Sequence, residues 1–426
     1  MLTIFFDVIR YVDSYKKIAK FNQHKSNLIN NSNKRKILLI TPYVPYPLNS
    51  GAAIRRFYLI QYLALKNDVI LVSFTFSSKD YYLEKELDKY CDLALIIKTK
   101  YLSLPSFYQL PKEIIRFQSW RMKLILKTLA KLSFDIVIFD SIFTAQYSKF
   151  FGDSYQILFE HNIESQILSR TIEIKKQLSH DKSLLQMEKQ LQLFKEYENK
   201  IWAKFPLKIV VSQQDKNQME NRCKIGQIMV VKNGVDTKKN QPIMPIMNSD
   251  KQKILYMGMM GYEPNIDAIN YFFRDILPLV WQKQPQITFC IAGSHPDSSI
   301  LELNNHPQIE VIANPEDIND IVKDCILSVV PIRIGGGTRI KILHSMAIGL
   351  PVISTNLGAE GLNVINDFNI VLRDNPLEFA EGILQVKCDS HFREKLRKNA
   401  RLLVEKEYDW YIIFKEMENN WKNISM

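Results

Sequence analysis

Cysteine is scarce and poorly placed for either of its structural uses. Cys91, Cys223, Cys290, Cys325 and Cys388 are odd in number and far apart, and no Cys-x-x-Cys pair occurs. A disulfide framework and a thiolate zinc site are therefore not expected, and a reducing compartment suits the composition. No apolar run is long enough to span a bilayer, which excludes a polytopic membrane protein. No short period repeats, so a solenoid is not expected. No Asp-x-Asp closes a candidate strand, so no catalytic metal is expected; no cofactor is expected either.

What remains is an ordinary globular balance, 46% hydrophobic and 24% charged, over 426 residues. That length exceeds one core and predicts two domains. The net charge of +11 is unevenly placed. Residues 1–36 carry eight basic and two acidic side chains, residues 100–131 carry seven and one, and the remainder is close to neutral. A nucleic-acid binder would be basic throughout, so none is expected; two local patches suit docking to something anionic. The opening MLTIFFDVIRYV is interrupted by Asp7 and Arg10 and has no leading cation, so it does not read as a secretory signal. Residues 1–35 read instead as a basic amphipathic extension outside the main fold, either a working arm or a solvated tail.

From Lys36 onward, apolar runs alternate with helical spacing. Strands are expected at 36–41, 69–74, 135–140, 156–159, 208–212 and 228–231, and again at 253–257, 287–292, 309–312, 325–331 and 351–354. One long charged helical segment covers 164–202, and an aromatic-rich helix pair covers 405–424. Such alternation indicates βαβ units and parallel sheets. Residues 236–250, with Pro242 and Pro245 and no periodicity, read as a linker. The expected fold class is α/β, two Rossmann-like domains facing across a cleft. The basic extension spans 1–35, the first domain 36–235, the linker 236–252, the second domain 253–404, and helices returning to the first domain 405–426. Ligands of such sheets bind at the carboxyl ends of the strands.

The most informative loop is PIRIGGGTRIKILHSMAIGL, residues 331–350. A strand ends at Pro331, Gly335, Gly336 and Gly337 follow, and a helix starts near Thr338. Glycines admit a ligand close to the backbone, and a helix N-terminus attracts anions. Arg339 and Lys341 add cationic donors, so a phosphate or diphosphate is the natural guest. The alternative is a flexible turn carrying two solvated cations. Ile340 stands where a dinucleotide fingerprint needs its last glycine, and the Gly-Lys-Ser/Thr ending of a nucleoside-triphosphate loop is lacking.

Together with PVISTNLGAEGL (351–362), this loop resembles the donor-binding half of retaining nucleotide-sugar glycosyltransferases of the GT-B fold, family 4 type. The likeness extends to LYMGMMGYEPNID (255–267), IAGSHP (291–296), VKNGVD (231–236), TPYVPYPLNSGAAIRR (41–56) and EHNIE (160–164). It implies transfer of a sugar from a nucleotide diphosphate sugar to an acceptor hydroxyl with retention, in bacterial surface polysaccharide or glycolipid assembly. It implies donor contacts at Gly51, Gly335, Gly336, Gly337 and Thr338, and a cleft histidine, His161, beside the transferred sugar. Glu160 and Glu164 are read as helix-cap or scaffold residues. Asn265 either faces the cleft or caps a helix, and residues 312–317 resemble the loop that reads the base.

The pattern also departs from the family. Many members carry two glutamates eight residues apart, where Gly336 and His344 stand here. Glu360 is the candidate substitute carboxylate. Met259, Met260 and Gly261 replace an expected arginine and lysine, which leaves Arg339 and Lys341 to hold the diphosphate. His344 keeps open a second reading, a non-catalytic binding or partner subunit. Residues 101–132 interleave cations with Leu102, Phe107, Tyr108, Phe117, Trp120 and Leu124. They form either a helix with its apolar side in the core or a segment lying on an anionic membrane, which would suit a lipid-linked acceptor. The expected location is the cytoplasm, at the inner face of the membrane.

Overall fold

A computed structural model describes residues 2–26, 34–99, 109–178, 184–243, 252–335 and 338–422. Among these residues the chain forms two parallel sheets. The first contains β1 (Lys36–Thr41), β2 (Asp68–Thr75), β3 (Leu93–Lys98), β4 (Ile136–Asp140), β5 (Tyr155–Phe159), β6 (Leu207–Val210) and β7 (Gln227–Val230), in the order 3-2-1-4-5-6-7. The second contains β8 (Lys253–Met259), β9 (Thr288–Ser294), β10 (Ile309–Ala313), β11 (Cys325–Val330), β12 (Val352–Ser354) and β13 (Val371–Leu372), in the order 10-9-8-11-12-13. Every residue of β2, β4 and β11 is buried. Strands covered by helices on both faces read as continuous apolar runs, which is why they are legible in the sequence. All five cysteines are free.

Two strands are additional to those expected. β3 comes from the run Leu93–Ile97, and β13 has only two residues. The long helical segment is divided into α4 (Glu164–Leu178) and α5 (Leu184–Trp202), which pack on one another and are tied by Lys176 to Glu188 at 2.6 Å. Three helices before them matter below: α1 (Leu2–Ser26), α2 (Gly51–Ala64) and α3 (Trp120–Ala130).

The expectation that residues 1–35 lie outside the main fold is corrected. Helix α1 packs on the first domain, with Ile18 only 4% exposed within the cluster that holds Ile70, Leu95 and Leu126. Arg10 and Lys17 both reach the buried Glu84, at 3.1 and 2.7 Å, and Thr128 donates to Tyr15 at 2.7 Å. Burial of one such aliphatic side chain stabilises by about 1.5–3 kcal/mol, to which the Glu84 and Tyr15 contacts add.

The second domain contributes α6 (Glu263–Tyr271) and α7 (Ile340–Ala347), and the chain closes with α8 (Trp410–Lys422). Trp410, Ile413, Phe414 and Met417 of α8 share a core with Leu59, Ile60 and Leu63 of α2. Tyr58 stacks on Trp410 at 5.7 Å and donates to Asp236 at 3.0 Å. Arg401 donates to the carbonyls of Thr237, Asn240 and Ala347, so the described part of the interdomain segment is fastened rather than slack. Residues 244–251 lie outside the described residues.

Candidate active site

Two helix starts face each other across the domains. α2 is capped by Ser50, whose Oγ accepts from Ala53 N at 3.2 Å, and α7 follows Arg339 in extended backbone. A Cβ on Gly51 would lie 3.3 Å from Ile340 Cδ1, so a glycine there lets the two helices approach. Gly335 has φ +141°, in the region that favours glycine, and a Cβ on it would meet Arg339 Nη2 at 2.8 Å. The guanidinium therefore lies directly over the Gly335 backbone, and burial lowers its pKa. Gly336 and Gly337 lie outside the described residues.

Lys341 turns from α7 to the carboxyl end of β8. Its Nζ donates to Tyr256 Oη at 3.0 Å and to Asn265 Oδ1 at 2.9 Å, and it stands 4.2 Å from the centre of the Tyr256 ring. Gly258, at φ +154°, leaves room: a Cβ there would be 2.9 Å from Nζ. Burial, with the nearby Arg339 adding to it, pushes the ammonium down to about 7. A cation thus reaches the strand end where Met259, Met260 and Gly261 provide none. Asn265 caps nothing; Nδ2 donates to Met259 O at 2.8 Å while Oδ1 accepts from Tyr256 and Lys341. Its position in α6 is what holds Lys341 in place.

A buried polar chain joins the domains beside this point. Arg55 donates to Asn233 Oδ1 at 2.8 Å and to the carbonyls of Val231 and Lys232. Asn233 Nδ2 donates to Thr338 Oγ1 at 2.8 Å and to its carbonyl at 3.2 Å. Arg170 of α4 crosses to the second domain, where it donates to Gly335 O and forms a two-pronged pair with Glu360, both distances 2.8 Å. Glu360 therefore stands within reach of the glycine turn, already engaged by a cation from the opposite domain.

On the first-domain side, His161 Nε2 meets Asp140 Oδ1 at 2.6 Å, and Asp140 Oδ2 accepts from Arg56 Nε. Burial opposes charge on Asp140, but Arg56 and His161 outweigh it and hold the carboxyl below its usual range. Burial lowers the His161 pKa against the pull of Asp140, and Arg56 and Arg55 add to the lowering. With the carboxylate ionised, Nε2–H is the donor and Nδ1 the acceptor of a neutral ring. Glu160 accepts from Trp202 Nε1 at 3.0 Å and from Ile142 N at 3.2 Å. Glu164 opens α4, where burial raises it to about 8, with Glu198 and Glu113 adding to the shift.

His344 lies elsewhere. Its Nε2 is 3.0 Å from Asn319 Oδ1, in the short helix Ile318–Val322 that follows β10, and burial lowers it to about 4. It shares a helix face with Lys341 but not its partners. Sequence reasoning missed Asp140, Arg170, Tyr256, Gly258 and Asn319. Asp140 alone left a usable signal, a charged residue closing an apolar strand at the cleft edge.

Residues 251–389 match the family model described as glycosyl transferases group 1. The fold is similar to that of sucrose-phosphate synthase from Thermosynechococcus elongatus, at 16% identity and TM-score 0.70 over 92% of this chain and 99% of that one. It is also similar to a glycosyltransferase from Rickettsia africae (19%, 0.65, 92% and 99%) and to Anabaena HepE in complex with UDP and glucose (13%, 0.64, 90% and 99%). A protein described as an uncharacterized glycosyltransferase from Methanocaldococcus jannaschii is 26% identical over 47% of this chain and 55% of its own. An uncharacterized 44.6 kDa protein in the cps region of Klebsiella pneumoniae is 22% identical over 38% and 44%. The chain spans about half the length of the curated relatives it matches. The two-sheet arrangement is thus the GT-B fold, and the family match lies within its second domain.

Proposed function

We propose that this GT-B chain moves a sugar from a nucleotide diphosphate sugar to an acceptor hydroxyl, with retention, in the assembly of a surface polysaccharide or glycolipid. The observation that carries the reading is Lys341, an ammonium brought to the end of β8 beside Arg339 and the start of α7. Anabaena HepE binds UDP and UDP-glucose on the same fold, and a relative comes from the Klebsiella cps region; both support the reading.

In the transfer, the bond from the anomeric carbon to the diphosphate oxygen breaks and its electron pair stays on that oxygen. The acceptor hydroxyl bonds to the same carbon, and its proton passes to the departing diphosphate oxygen. Charge therefore grows on the diphosphate, where Lys341 and Arg339 supply the opposing charge. Each charge-assisted hydrogen bond there contributes about 1.5–3 kcal/mol. His161, held by Asp140, is the ring placed beside the transferred sugar. Thr338, Asn233 and the Arg170–Glu360 pair hold the lobes together so that water is excluded from the bond being broken.

Calorimetric titration with UDP and GDP tests this. Arg339→Ala is expected to weaken the preferred nucleotide by about tenfold or more, in line with one lost charged hydrogen bond. Unchanged affinity and turnover would end the proposal. His344 favours a second reading, a binding subunit without turnover, because a neutral ring tied to Asn319 replaces a carboxylate. Hydrolysis of a UDP-sugar by the purified protein is expected of a transferase and not of such a subunit.

A further inference from the structure

The two basic stretches of the sequence lie about one hundred residues apart and become neighbours in the fold, because α1 packs against α3 through Tyr15 and Thr128. The core-facing sides of both helices are apolar: Ile18 on α1, and Met122, Ile125, Leu126 and Leu129 on α3. Their opposite sides carry Lys16 and Lys20, and Lys123, Lys127 and Lys131, with Lys149 on the adjoining turn; all six are exposed. Lys127 and Lys149 approach the Phe150 ring at 5.8 and 5.6 Å, and no ion pair neutralises any of the six among the described residues. Unneutralised lysines concentrated on one face repel one another, and the cost is offset when they meet an anionic surface.

The same face exposes apolar side chains. Trp120 is 60% exposed, Val12 43% and Leu124 37%. Trp120 opens α3, three residues after Phe117, which stacks on Phe143 at 5.2 Å and meets Tyr43 edge-on at 5.4 Å. Tyr43 follows β1 and Phe143 follows β4, so the aromatic end of α3 lies at the carboxyl ends of the strands, where the cleft opens. An indole amid lysines suits the headgroup level of a bilayer, where an apolar ring and cations are accommodated together; a polyanion in water has no use for the apolar part.

We propose that the joint outer face of α1 and α3 docks on a bilayer of anionic lipids, with Trp120 inserted at the headgroup level and the cleft opening toward the membrane. Docking of this kind is independent of the transfer reaction, so it can be tested without donor or acceptor.

The full chain is sedimented with phosphatidylcholine vesicles, and with vesicles in which roughly one lipid in three is phosphatidylglycerol. Binding is expected to the anionic vesicles alone, and to fall steeply as salt is raised from about 0.05 M to about 0.5 M. Each lysine at an anionic surface is worth about fivefold, so Lys123→Gln, Lys127→Gln and Lys131→Gln together should weaken binding about one hundred-fold. The same charge change at Lys395, Lys398 and Lys406, exposed on the second domain, should leave binding near wild type. Trp120→Ser should weaken it with the melting temperature unchanged, since the ring is exposed. Equal binding to both kinds of vesicle, or equal loss in the two lysine variants, would overturn the proposal. Binding to heparin or RNA without binding to vesicles would overturn it as well.

Discussion

Lys341 makes donor binding sensitive to pH in a direction the structure specifies. Burial lowers its ammonium to about 7, so the group titrates near neutrality. A diphosphate placed beside Nζ returns the group toward its ordinary value near 10.4, because the anion replaces the lost solvation. Binding then takes up a proton. Taking those two values, the dissociation constant for UDP-glucose rises about 30-fold between about pH 6 and about pH 8.5, which is about 2 kcal/mol, and uptake near pH 8 is about 0.9 proton per donor. The diphosphate diester of a nucleotide sugar does not titrate in this window. Burial raises Tyr256 far above the window, lowers His344 to about 4 and lowers His161, and Arg339 stays charged throughout. Glu164, near 8, titrates in the window and repels an anion in the same direction, so it needs its own control. Calorimetry in buffers of differing ionisation enthalpy reads the proton uptake. Lys341→Met should flatten the profile and abolish most of the uptake, whereas Glu164→Gln should leave most of both. A flat wild-type profile, or a slope that survives in Lys341→Met, would refute the reasoning.

Four further outcomes follow from particular contacts. Asp140→Asn leaves Arg56 buried without its counter-charge and is expected to cost about 3–5 kcal/mol in chemical denaturation; a loss below about 1 kcal/mol would show that the pair is not structurally demanding. Glu164 is raised from 4.5 to about 8 in the fold, so its burial removes stability progressively as pH rises between those values. Glu164→Gln should therefore match wild type near the acidic end and exceed it by about 1–2 kcal/mol above pH 8; a gain at the acidic end would reverse the assignment. Arg170→Ala removes the two-pronged pair across the lobes and should enlarge the radius of gyration measured by X-ray scattering without donor, at a stability cost of about 1 kcal/mol or less because both partners are partly solvated. Ile18→Ala should destabilise by about 2–4 kcal/mol, and no change in melting temperature would mean that α1 is not part of the core.

Much of the fold is legible because parallel strands, covered on both faces, leave unbroken apolar runs. KILLIT, VILVSF, DIVIFD and CILSVV need no partner to be recognised. The packing of α1 is not legible in this way, since a helix whose anchors are single residues such as Ile18 and Tyr15 looks like any solvated amphipathic segment. The turn before α7 was also legible, because Gly335 and the cations after it lie within a few residues of one another.

The sequence by itself determined what is local: the alternation that makes two parallel sheets, a helix start expected near Thr338 and found at Ile340, and the glycine turn with Arg339 and Lys341 behind it. Only the tertiary structure decided where those cations go. Lys341 leaves its own helix for Tyr256 and Asn265, His161 is set by Asp140 and Arg56, and Glu360 is met by Arg170 from the opposite lobe. The physical reason is range. Periodicity reports which face of an element is buried, whereas the partner and the pKa of a long polar side chain depend on which distant element packs against it and how much water that packing removes.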